Sequence, residues 1–182
     1  MTIAEAQADV RRIYRGGYTG PLVSAGVWAA ANTIYFVVSP GAAMAALFFG
    51  GMLIFPLSAL ILKVTTSASA LPKGHPSTAL AIQSAFTVPL GLLVAVALGS
   101  YAPELFFPAS LIIVGAHYLV FISLYGMKAF AILAGALVLL GTIAIFAVPR
   151  LGPVSGWIGA GVFAVFVPIL YRREGVSEFR RG

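Results

Sequence analysis

Long apolar runs alternate with short polar breaks along most of the chain. Runs at 19–39, 41–63, 78–101, 104–126, 127–148 and 152–171 each come close to the ~20 residues a helix needs to cross the hydrocarbon of a bilayer. The breaks VSPG, YAPE and VPRLGP each carry a proline where a helix must end. The one long link is VTTSASALPKGHPS, residues 64–77, with Ser77 placed to cap the helix that follows. Short links pair neighbouring helices, so the pattern predicts an all-α integral membrane bundle. Its six transmembrane helices are expected as three antiparallel hairpins, first with second, third with fourth and fifth with sixth, in one domain over 19–171.

Residues 1–18 follow another pattern. Thr2 and Glu5 have capping-box spacing, and Arg11, Arg12 and Arg15 sit in the last turns, where cations suit a helix dipole. Ile3, Ala6, Val10, Ile13 and Tyr14 share one face. This predicts a short amphipathic helix lying at the inner membrane interface, ended by Gly16 and Gly17. Glu5 and Asp9 among the basic residues argue against a cleavable signal. Residues 172–182 are expected as a basic cytoplasmic tail.

Composition agrees with the periodicity. Of 182 residues, 60% are hydrophobic and 9% charged, against about a quarter charged in soluble proteins. The net charge of +6 would suit nucleic acid, but its distribution argues otherwise. With the N-terminus in the cytoplasm, Arg11, Arg12, Arg15, Lys63, Lys73, Lys128, Arg172, Arg173, Arg180 and Arg181 fall inside and Arg150 alone outside. That is the positive-inside bias of a multi-pass protein with both termini cytoplasmic, its basic residues touching lipid headgroups. No cysteine is present, which removes disulfides and thiolate chemistry.

Polar side chains at membrane depth are costly, and by default they mark function. At ~1.5 Å per residue, His117 lies ~13 Å above the inner end of the fourth span, level with Thr87 and one turn above Gln83. Ser58 falls near the level of Gln83, Tyr118 adds a hydroxyl, and Asn32 and Tyr35 lie roughly 6–11 Å higher. These seven residues are the expected lining of a polar pocket. No carboxylate shares the depth of His117, so its imidazole is expected to be uncharged. Glu104 and Arg150, the only charges of the outer face, are expected to pair. Gly152, Gly156, Ala160 and Ala164 form a small-residue stripe that suits close helix packing, within the chain or with a second chain or partner membrane protein.

Enzyme chemistry finds little to work with. GPVSG at 152–156 has the look of an intramembrane serine protease motif, but Ser155 lies ~20 Å from His117 by helical rise, too far for a serine–histidine dyad. His75 sits in the cytoplasmic link, His117 in a span, and neither has an acidic cluster, so no metal site is expected. Paired carboxylates and phosphate-cradling glycine loops are missing, so no cofactor and no catalytic residue are expected.

Gly115, Ala116 and His117, followed by Leu124 and Tyr125 and preceded by Phe55 and Pro56, resemble a pattern in an uncharacterised family of small bacterial membrane proteins. The resemblance runs loosely over the second to fifth spans and implies a bacterial inner-membrane address without an activity. In length and span count the chain is also similar to the six-helix substrate-binding components of vitamin uptake systems, with Ala25 and Ala29 at an alanine-x3-alanine spacing. The expected function is small-solute binding or transport through the polar pocket. The alternative is a non-catalytic scaffold whose polar residues only fasten helices.

Overall fold

The computed structural model describes residues 1–66 and 71–179; part of the 64–77 link, and Arg180 and Arg181 of the expected tail, lie outside these. The described residues form seven α-helices and no strand. They are α1 (Ile3–Ile13), α2 (Thr19–Val37), α3 (Pro40–Thr66), α4 (Ser77–Tyr101), α5 (Phe106–Tyr125), α6 (Ala129–Phe146) and α7 (Ser155–Phe179). Five of them, α3 to α7, are long and apolar enough to cross a membrane. α2 is the exception. At 19 residues it reaches about 28 Å, but Thr19, Ser24, Asn32 and Thr33 reduce its apolar character.

The capping box forms as its spacing predicts: Glu5 N donates to Thr2 Oγ1 at 3.3 Å and Thr2 N to Glu5 Oε2 at 2.7 Å. After α1 the chain reverses through Arg15, Gly16 and Gly17, all at positive φ, a conformation glycine adopts freely and arginine does not. A side chain on Gly17 would also meet the Tyr125 ring at 2.9 Å. The C-terminal ends of α4 and α6 stop at short 3-10 turns, Pro103–Leu105 and Pro149–Val154, as the prolines require. α3, α4 and α7 run on through Pro56, Pro89 and Pro168. α7 also continues to Phe179, so the start of the expected tail is helical.

Packing departs from three equal hairpins. α2 lies along both α3 and α7, and α5 along both α4 and α6, while α6 meets α7, and α3 meets α4, only loosely. The reason lies in glycines. A Cβ on Gly115 would reach Val138 Cγ2 at 2.7 Å and the Ala134 carbonyl at 3.0 Å; one on Gly141 would reach the Pro108 carbonyl at 2.5 Å. Bare backbones at these two points bring α5 and α6 into close contact, which in lipid is the main source of attraction between helices.

Aromatic rings fill the centre. A continuous series runs from Tyr125 through Phe130, Tyr118, Phe163, Trp28 and Phe107 to Tyr35, with neighbouring centroids 5.0 to 6.2 Å apart. Such pairs contribute about 0.5–1.5 kcal/mol each beyond buried area. They tie α5, α6, α7 and α2 into one core. α1 closes one end of it: Ala6 and Val10 are buried, whereas Ile3 of the same face is 79% exposed. The helix expected to rest on headgroups is thus docked, by part of that face, onto the ends of α4 and α5.

Candidate functional site

Asn32 is fully buried, at 0% exposure. Its Nδ2 donates to the Pro153 carbonyl at 2.8 Å, and its Oδ1 accepts from Trp157 N at 2.8 Å. Trp157 is the third residue of α7, so its N–H is one of the first-turn donors with no partner inside the helix. A side chain from α2 therefore does the work of an N-cap for α7. Gly156 makes the approach feasible, because a Cβ there would lie 2.5 Å from Asn32 Oδ1. Beside it, Trp157 Nε1 donates to Thr33 Oγ1 at 3.2 Å.

At the level of His117 a second fastening joins α4 to α5. His117 Nδ1 lies 3.0 Å from the Ser84 hydroxyl, with the ring against Tyr118 and Phe121. Gly115 and His117 therefore act on opposite neighbours, one seating α6 and the other reaching α4. Tyr118 is buried and its hydroxyl meets Ser24 of α2.

The third fastening sits at the C-terminal end of α5. Gln7 Nε2 donates to the Ser123 carbonyl at 2.8 Å, and Arg11 Nη1 donates to the Tyr125 carbonyl. The two lie one turn apart on α1 and satisfy carbonyls that the last turn of α5 leaves open. Gly126, at φ 63°, ends that turn in the left-handed conformation. Burial raises the phenol of Tyr14, at the end of α1, above its ordinary value.

α4 begins with a cap of a different kind from the expected one. Ser77 offers no side-chain cap; its own N–H donates to His75 Nδ1 at 3.2 Å. An accepting Nδ1 places the proton of a neutral imidazole on Nε2. That nitrogen is buried without a hydrogen bond among the described residues, 3.9 Å from Asp9 Oδ2 of α1.

The expected pocket lining is not brought together. Gln83 and Thr87 are exposed on the outside of α4, and the Thr87 hydroxyl donates back to the Gln83 carbonyl at 3.0 Å. Tyr35 lies half-buried among Phe36 and Phe107. Ser58 is buried, and its hydroxyl has no hydrogen-bond partner among the described residues. Glu104 and Arg150 are both exposed and form no ion pair among the described residues, although their turns touch: a Cβ on Gly152 would collide with the Glu104 carbonyl. Of the small-residue stripe, Gly152, Gly156 and Ala160 face inward and Ala164 outward, so most of it is used inside the chain. No group of three or more acidic, cysteine or histidine side chains capable of holding a metal occurs among the described residues.

Depth along a helix was enough to select Gln83, but Ser84, one residue on and ~100° round, is the residue that meets His117. Gln7 and Arg11 carried a readable signal, i and i+4 polar positions beside an apolar face. Ser24 carried none.

A helical bundle with five long apolar crossings, bound together by cross-helix capping, defines a multi-pass membrane protein. More particularly, the chain belongs to DUF7010, a family of unknown function that matches residues 3–173 and so takes in α1 and all the apolar helices. An uncharacterised family is what the motif resemblance implied. No curated protein and no solved structure matches the chain.

Proposed function

We propose that this protein is a non-catalytic membrane scaffold, whose intramembrane polar side chains hold helices in register and whose outer surface meets a partner within the bilayer. One observation carries the reading: both ends of the Asn32 amide are engaged across the α2–α7 boundary at zero exposure. Polar groups engaged in this way have little left to offer a solute. Gln83 and Thr87, which a solute pocket would need inside, point away from the bundle.

We place the chain in a bacterial inner membrane with six crossings, α2 being the sixth, and both termini in the cytoplasm. Support comes from the length of α2, its position between α3 and α7, and the ten-to-one distribution of basic residues. Accessibility labelling of Lys73 and of a C-terminal tag from the same side is the expected outcome; labelling from opposite sides contradicts the topology.

A second reading, small-solute binding or transport, keeps one foothold in Ser58, whose buried hydroxyl makes no hydrogen bond among the described residues. Thermal unfolding of the purified protein against a panel of metabolites separates the two. The scaffold reading predicts no shift of the midpoint. A solute that raises the midpoint, with the rise lost in Ser58→Ala, establishes the second reading instead.

A further inference from the structure

α4 is poorly covered by its own chain. Only 17% of its most apolar window is buried, against 50% for α5. Ser84, Leu92, Ala95 and Gly99 form its inward edge. On the far side Gln83, Thr87, Leu90, Val94, Ala97 and Tyr101 are all exposed. Their spacing alternates four and three residues over the length of the helix, the seam along which one helix packs on another at a shallow left-handed crossing. No charged residue occurs anywhere in α4.

An apolar seam facing lipid needs no explanation by itself, since lipid tails cover it. Gln83 does need one. It stands ~9 Å along the helix from Ser77, within the apolar span, and its amide makes no hydrogen bond among the described residues. Thr87 does not relieve it, because that hydroxyl is turned onto the main-chain carbonyl of Gln83. An amide left in hydrocarbon without a partner costs free energy, and membrane helices meet that cost by pairing. A primary amide carries both donors and an acceptor, so two copies of it complete one another. That self-complementarity is what a twofold axis requires. An unpaired amide at one position of a seam whose centre, Leu90, Val94 and Ala97, is apolar also fixes register and the number of chains.

We infer that two copies of this chain meet along the outward face of α4, with the Gln83 amides hydrogen-bonded to each other across the twofold axis. The inference rests on the scaffold reading and supplies its partner, a second copy. It also moves the contact away from the Gly152 stripe, which the chain consumes internally.

The chain has no cysteine, so single introduced thiols report proximity without background. In the full-length protein reconstituted in lipid vesicles, Val94→Cys is expected to cross-link as a dimer on oxidation. Ile132→Cys, at a 60% exposed site on α6, is expected to remain monomeric. Dimer affinity, read by single-molecule photobleaching over a range of dilution in the same vesicles, is expected to fall about 5- to 30-fold in Gln83→Leu, the loss of one interhelical hydrogen-bonded contact. Gln83→Asn is expected to recover part of it. A monomer at every dilution overturns the inference, as does equal cross-linking at Ile132→Cys. A dimer of unchanged affinity in Gln83→Leu, the outcome if the amide reaches the headgroups instead, overturns it as well. Each of these results leaves the scaffold reading standing, because that reading fails on a different signal, a solute-dependent unfolding midpoint.

Discussion

α5 and α4 are similarly apolar, yet one is the centre of the bundle and the other a flank. Half of the most apolar window of α5 is buried and about a sixth of that of α4. Hydropathy admits both to the bilayer; it does not decide what either touches, since lipid is as apolar as leucine. Two things separate them. Backbone meets backbone at Gly115 and Gly141, where α6 lies against α5. Polar groups from elsewhere, Gln7, Arg11 and Ser84, then satisfy atoms of α5. α4 has the bond to His117 and the His75 cap at its first residue, and on its other side an amide with no partner among the described residues.

The sharpest way to break this contrast is to fill the α5–α6 contact. Gly141→Leu would drive a side chain into the Pro108 carbonyl, and a loss of about 3 kcal/mol or more is expected, seen as failure to recover monodisperse protein in detergent. Ala116→Leu, on the exposed face of the same α5, is expected to behave as the parent. Next is Arg11→Ala, which leaves the Tyr125 carbonyl without its charged donor. About 1–3 kcal/mol should be lost in detergent unfolding, and α1 should become protease-sensitive. Ser84→Ala removes the partner of His117 and is expected to lower stability by about 0.6–1.7 kcal/mol, the range of interhelical hydrogen bonds in membranes. At the small end, Gly51→Ala in α3 places its Cβ 3.5 Å from Leu92, an ordinary contact. It should be neutral or stabilising by up to about 1 kcal/mol, as befits a loosely packed flank.

Much of the fold was legible because its punctuation is chemical. The prolines at 103, 149 and 153, the glycines at 16 and 17 and the Thr2–Glu5 box each mark a helix end for a stated reason, and the structure places ends there. Depth was legible too, since rise per residue is fixed. Rotation was not, and the candidate site depended on it. Ser84 and Gln83 differ by one position and face a histidine and the outside respectively. The pairing of α6 with α5 rather than α7 was hidden for a related reason: a glycine signals a close approach only once its facing helix is known. Asn32 looked like a pocket lining because its partners, a carbonyl at Pro153 and an N–H at Trp157, belong to the backbone and leave no mark in the side-chain pattern.

The central claim is that buried polar side chains in this bundle are structural fastenings. It is tested most directly by thermal unfolding, in excess detergent, of Asn32→Leu beside Thr87→Val. Asn32→Leu leaves the Trp157 N–H unpaired and should lose about 1–3 kcal/mol, whereas Thr87→Val, on the exposed side of α4, should stay within about 0.5 kcal/mol of the parent. Equal stability of all three proteins would contradict the account.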